Sequence, residues 1–435
     1  MTHARRRSPA LRPLLALPVT ALALGLALPA AQATGAPGGG PPGAHRDLGR
    51  EVLAPGDGWG SADGGVTGGS AAAADHVHIV HDRNSFAAAV AGDEPKIVYV
   101  AAGFDANVDA AGLPLSCADY AAPGWDFDAY LRTYDPAGWT GAPTGELETL
   151  RKASNSNQGK RVDLRVGSNT TIVGLPQVAI TGAEVDLESA TNVIVRNLTL
   201  RDAYTCFPGW NGDAWKTEWD NLVLSHTSHV WIDHVTIDDG DHPDEAEPVV
   251  FGQHLLRHDG LLDIVRASDL VTVSWSRFSG HDKSMLWGNG DTVLTDVGKI
   301  RVTMHHCELT GLTQRGPRVR FGQVHVYNNL YRQAADSTYL YSWGVGVQSS
   351  IYAENNAFRL AAPFTPAIII GNLGGTVIHE SGTYVNGRPV DVLAAYNATH
   401  DPDLLSDVGW TPQLHGRIDP TWAVPALVRS GAGAG

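Results

Sequence analysis

The sequence predicts an all-β protein built as a solenoid of stacked coils, on three observations. One short β-rich motif recurs from about residue 161 onward: VIVRNLTL from Val193, VWIDHVTI from Val230, VTVSWSRF from Val271, VTMHHCEL from Val302, VHVYNNLY from Val324 and IYAENNAF from Ile351. The starts lie 37, 41, 31, 22 and 27 residues apart, the uneven spacing of one unit whose loops differ between coils. Asn197, Asn328, Asn329, Asn355 and Asn356 fall at one place in the unit, where stacked turns can form amide ladders. A β-sandwich would show hairpin signals such as Asn-Gly between adjacent strands, and the repeats lack them. Composition agrees: 43% of the 435 residues are apolar and only 18% charged, with 49 Gly and 25 Pro, a balance suited to a turn-rich β protein.

In chain order, residues 1–33 read as an export signal. Arg5, Arg6, Arg7 and Arg12 precede an apolar run from Leu14 to Leu28, and Ala31-Gln32-Ala33 fits a cleavage site. The run is shorter than the roughly 20 residues that span a bilayer. The paired arginines leave both general and twin-arginine export open. Residues 34–50, rich in Gly, Pro and Ala, read as a flexible linker. A helix is expected near 146–152, where Leu147 and Leu150 stand three apart. The coils should occupy 51–425, and the tail 426–435, ending GAGAG, is expected to be disordered.

The net charge is −15, and loss of residues 1–33 removes four arginines and no acid, giving −19. Such a chain is a poor nucleic-acid binder. A polyanionic ligand would need a local basic cluster or bound cations. Of three cysteines, Cys117 and Cys206 lie in irregular aromatic segments and are expected to pair; Cys307 lies in a strand as a buried apolar residue.

Four polar clusters stand at strand ends. Alternation puts Glu218 and Asp220 on one side of an extended chain. Asp259 and Asp263 follow in HisAspGlyLeuLeuAspIle. Brought together by adjacent coils, these carboxylates would make a hard oxygen site suited to calcium. Lys283 stands in HisAspLysSer, and Arg315, Arg318 and Arg320 in ArgGlyProArgValArg. Those arginines either pair with neighbouring aspartates or recognise a carboxylate, for which the guanidinium fork is shaped.

The segments TEWD, VWIDH, QHLLRHDGLLDI, VTVSWSRFSGHDKSMLWG, RVTMHH, QRGPRVRFGQVHVYNNLY and YSWGVGVQSSIYAENNAF resemble those of the bacterial pectate lyases of polysaccharide lyase family 1. The resemblance runs in order from about residue 50 to beyond 360. It implies a right-handed, single-stranded parallel β-helix. It also implies a secreted, extracellular enzyme that cleaves polygalacturonate by calcium-dependent β-elimination, with no membrane attachment after signal cleavage and as a monomer. By the same resemblance Asp220, Asp259 and Asp263 hold calcium, with Glu218 as an added acid. Lys283 and Arg320 bind substrate, Arg315 is the base, and Asp233 and His234 are structural.

An arginine normally keeps its proton to above about pH 12. Neighbouring cations favour loss of that proton, so turnover should rise into the alkaline range, with Arg315 or hydroxide as the base. A pectin lyase would lack the acids and line its cleft with aromatics; Trp210, Trp215 and Trp219 lie near in sequence. A hydrolase would need a carboxyl pair, which Asp238, Asp239, Asp241 and Asp244 could supply, although the loop also reads as a solvated turn or an accessory cation site. A non-catalytic wall-binding protein would be expected to lose Arg315 or the acids. His305-His306-Cys307 suggests zinc only superficially, since alternation should point His306 away from its neighbours.

Overall fold

A computed structural model describes residues 47–435. The expected export signal and most of the expected linker lie outside the described residues. Asp47–Gly435 form one compact unit, so the linker ends earlier than expected: the Arg50 N–H donates to the Asp47 carbonyl at 3.1 Å, closing a turn at its edge. Among the described residues no helix is long and apolar enough to cross a membrane.

The chain winds as a right-handed parallel β-helix with three sheets of ten, eight and ten strands. The recurring motif sets the register. Val193, Val230, Val271, Val302, Val324 and Ile351 stand opposite one another in successive strands of the first ten-stranded sheet. Their side chains, with Val195, Ile232, Val273, Met304, Val326 and Ala353 two residues on, form the buried core. Period-2 alternation therefore places one face of every coil inside, and burial comes from the coil above and below.

After each of these strands one residue turns into the left-handed region: Asn197, His234, Trp275, His306, Asn328 and Asn355, all with φ between 46° and 55°. Asparagine tolerates this backbone well. The expected single Asn ladder is in fact two columns. Asn197, Asn328 and Asn355 occupy the outer, left-handed column. Asn329 and Asn356 form the buried inner one, where the Asn356 Oδ1 accepts from the Asn329 N–H at 3.0 Å and Asn329 Oδ1 from the Cys307 N–H at 2.9 Å. Cys307 is free and fully buried, and the amide ladder stops there. His306, turned at φ 55°, does not point away from its neighbour: its Nδ1 lies 2.9 Å from that of His305, while Cys307 faces the core.

Two further expectations change. The helix begins as expected but runs Glu146–Val162. Its later turns bury polar rather than apolar groups, with Gln158 Nε2 donating to the Tyr204 carbonyl and Ser154 Oγ accepting the Ala122 N–H. The tail is ordered. Val424–Gly431 is a helix, and Val424, Val428 and Ala432 bury against Leu330 and Ala357. Cys117 and Cys206 are disulfide-bonded, joining the loops that carry the Tyr130, Tyr134, Trp210, Trp215 and Leu255 cluster.

Candidate active site

The eight-stranded sheet presents the functional face. In chain order its strands are β1 Asp163–Arg165, β2 Glu184–Asp186, β3 Leu222–Ser225, β4 Leu262–Val265, β5 Leu286–Trp287, β6 Arg318–Val319, β7 Trp343–Gly346 and β8 Ile370–Leu373. Asp186, Val223 and Asp263 stand opposite one another on β2, β3 and β4. Leu286 of β5 pairs with Arg318 of β6. Stacking thus gathers most of the acids on the early coils, where Arg165 is the base on the first strand, and sets Arg318 on a later one.

One groove collects Glu218, Asp220, Asp259 and Asp263, all four acids that the sequence singles out. Asp220 ends the loop before β3, and Asp259 the loop before β4. The Asp220 N–H donates to Glu184 Oε2 at 2.9 Å, the Gly260 N–H donates to Asp220 Oδ1 at 2.6 Å, and the Leu286 N–H to Asp263 Oδ1 at 2.9 Å. Gly260 lies where two carboxylates converge: a Cβ there would stand 2.7 Å from both Asp220 Oδ1 and Asp263 Oδ1.

Crowded carboxylates resist ionisation. Burial, then Asp263, Asp259 and Glu184, raise the Asp220 carboxyl well above its ordinary value. Burial, then Asp259, push Asp263 up to about 7, with Arg315 opposing. Burial raises Glu184 likewise. A buried set of hard oxygens whose mutual repulsion is this large fits a divalent cation.

The same groove holds acids that sequence reasoning missed: Asp163, Glu184, Asp186 and Glu188. Asp163, Glu184 and Asp186 also lie close enough together to hold a metal. Burial, then Asp163, raise Asp186 to about 6. Arg165 Nη1 reaches Glu188 at 2.9 Å, and its Nε reaches Asp163 at 3.3 Å and Asp186 at 3.5 Å. The alternation Glu184-x-Asp186-x-Glu188 is the signal that could have found them.

Lys283 and Arg315 come together by register, because Lys283 pairs with Gln314, the residue before Arg315. Arg315 takes a left-handed turn, φ 60°, and its buried Nε has no hydrogen-bond partner among the described residues. Burial lowers the Lys283 ammonium, Asp259 and Asp282 oppose this, and Arg315 and Lys216 add to it. Arg320 is differently placed: its Nε donates to Asp291 and its Nη1 to the Gly288 carbonyl at 3.0 Å. Arg318 Nη2 reaches the same Asp291 at 4.0 Å.

Other sequence candidates separate from the groove. Trp219 lines it, but Trp210 and Trp215 are buried in the aromatic cluster. Asp233 is buried against Arg196, 2.7 Å away, and Ser274 and His234. In the acidic loop, Asp239 and Asp244 each pair with a histidine, His281 at 2.7 Å and His258 at 3.0 Å, and Asp238 lies 3.6 Å from Arg201.

The chain is similar to known proteins over most of its length. The profile of the family described as pectate lyase matches residues 49–120 and 142–388. The pectate lyase of Bacillus subtilis (strain 168) is 39% identical over 402 residues, 89% of this chain and 94% of that protein. Pectate lyase E of Dickeya chrysanthemi is 33% identical over 354 residues, 78% of this chain and 76% of that protein. Among solved structures, a thermostable pectate lyase superposes with TM-score 0.88 at 40% identity, over 90% of this chain and 99% of that one. A pectate lyase bound to a hexasaccharide superposes with TM-score 0.86 at 38% identity, over the same shares of the two chains.

Proposed function

From the premise that the chain belongs to the pectate lyase family, we propose that it is a secreted monomer that cleaves α-1,4-linked polygalacturonate by calcium-dependent β-elimination. One observation carries the reading. Asp220, Asp259 and Asp263 converge with Glu218 in one groove, repulsion raises the Asp220 and Asp263 carboxyls, and Lys283 and Arg315 act on the same acids, with no ion pair found for either base among the described residues. A cation satisfies the first group, and an anionic sugar satisfies the second.

Asp220, Asp259 and Asp263, with Glu218, would hold the calcium. When bound, calcium supplies positive charge to the sugar carboxylate, where charge develops as the neighbouring proton leaves. Lys283 and Arg320 hold the uronate in register through charge-assisted hydrogen bonds. Arg315 takes the proton from C5. The C5–H electron pair becomes the C4–C5 double bond, the bond from C4 to the glycosidic oxygen breaks, and that oxygen takes a proton from water. The products are a new chain end and a 4,5-unsaturated oligogalacturonide.

One titration pushes activity toward alkaline pH: the site acids must ionise to bind a cation, which for Asp263 means passing about 7.

The test is ultraviolet absorbance of the unsaturated product on polygalacturonate at alkaline pH, with calcium and then with excess chelator. The expected result is a rise that chelator abolishes. New reducing ends without absorbance would mean hydrolysis, and no cleavage would mean a binding protein; either overturns the reading.

A further inference from the structure

The acidic loop that the reaction leaves unused points to a second layer beneath the metal ligands. Asp239, first residue after the strand Thr236–Asp238, is 3% exposed and His281 is 4% exposed. Asp239 Oδ1 meets His281 Nδ1 at 2.7 Å. The other ring nitrogen, Nε2, lies 3.0 Å from the main-chain carbonyl of Asp259. A carbonyl only accepts, so Nε2 carries the proton and donates.

The peptide unit between Asp259 and Gly260 is therefore tied at both ends. Its carbonyl accepts from His281, and its N–H donates to Asp220 Oδ1 at 2.6 Å. The Asp259 N–H donates in turn to the Trp219 carbonyl at 3.2 Å. Rotating this peptide would release Asp220 and swing the Asp259 side chain together. Residue 258 on its other side is also fixed, since His258 lies between Asp202 at 3.1 Å and Asp244 at 3.0 Å.

We propose that His281, held by Asp239, is a positioning residue that sets the plane of the Asp259–Gly260 peptide and so the spacing of the Asp220, Asp259 and Asp263 carboxylates. The proposal rests on the reading of those acids as calcium ligands. Hydrogen bonds behind a ligand govern metal affinity by orienting it, and here the bond acts through the backbone rather than through the carboxylate.

Calcium binding to the mature enzyme, measured by calorimetry, tests it with two isosteres. In His281→Gln the side-chain amide replaces Nε2 and keeps the bond to Asp259. In His281→Asn the amide replaces Nδ1, keeping Asp239 and losing Asp259. The expected result is near wild-type calcium affinity for H281Q and a dissociation constant raised about 10- to 100-fold for H281N. For H281N, kcat at saturating calcium should stay within a few-fold of wild type, because His281 does not touch substrate. A loss in both variants, or in neither, overturns the proposal, since a merely space-filling histidine does not distinguish its two nitrogens. Absence of calcium binding in the wild type overturns the reading of the acids as a metal site, and this proposal with it.

Discussion

Replacing Asp263 by Asn should stabilise the metal-free protein while destroying its response to calcium. The Asp263 carboxyl is held up to about 7 against an ordinary 3.8. The unfolded chain therefore ionises first, and stability falls as pH rises from about 4, with the loss complete above about 7. At 1.36 kcal/mol per pH unit, that gap corresponds to about 4 kcal/mol at pH 8. Burial, the first cause, and repulsion from Asp259 supply it. Asparagine keeps the volume and can still accept the Leu286 N–H that Asp263 Oδ1 accepts now. Asp220 and Glu184 share the same field, so the net gain for the variant should be about 2–4 kcal/mol at pH 8 and under about 1 kcal/mol at pH 4. Urea unfolding in excess chelator at the two pH values measures this. Adding calcium should reverse the order, since only the wild type then gains ligand stabilisation. A wild type at least as stable as D263N at pH 8 in chelator would refute the claim that these carboxylates repel one another in the fold.

Two other substitutions probe the site separately. Gly260→Ala places a Cβ 2.7 Å from Asp220 Oδ1 and Asp263 Oδ1, both pinned by backbone N–H groups, so the carboxylates must part. Calcium affinity by calorimetry should fall about 10- to 100-fold with the far-ultraviolet circular dichroism unchanged, and unaltered affinity would show that the two oxygens do not act together. Arg315→Ala should remove nearly all turnover on polygalacturonate while calorimetric calcium affinity at pH 9 stays within a few-fold of wild type. Normal turnover would exclude Arg315 from the reaction.

What could be read from the sequence was what repeats or alternates. Val193 through Ile351 announced the stack because an apolar residue two before another must share its face, and the register bears this out pair by pair. Asp259 and Asp263 could be read because one precedes and the other lies within a short strand in a single motif. Glu184 and Asp186 were not, although their alternation with Glu188 offered a signal, because a three-residue strand reaches the groove only through lateral pairing with the next coil. The helix beyond residue 152 was hidden because it buries Ser154 and Gln158 through hydrogen bonds to loops, and apolar spacing cannot report polar burial. The tail helix had a signal, Val424, Val428 and Ala432 four apart, that the glycines at the terminus obscured. The bond from His281 to the Asp259 carbonyl had none, since one partner is main chain.

The charge sorting resolves how so acidic a chain can take a polyanion. At a net charge of −15 the long-range field opposes approach, and salt screens that field beyond about 10 Å. Inside the groove the order of coils governs. Asp163, Glu184, Asp186 and Glu188 stand on β1, β2 and the turn after it, and Asp220, Asp259 and Asp263 stand at β3 and β4. Arg318 and Arg320 follow at β6, with Lys283 and Arg315 just before β5 and β6. A uronate chain laid across the coils meets bases directly at one end and would need intervening cations at the other. On the proposed reading the scissile sugar would lie where the two regimes meet, at Asp263, Lys283 and Arg315, where one carboxylate could touch a metal and a guanidinium at once. A parallel solenoid provides that boundary through its winding: each coil adds one strand to the sheet, so a change of residue type from one coil to the next becomes a step in charge along the groove.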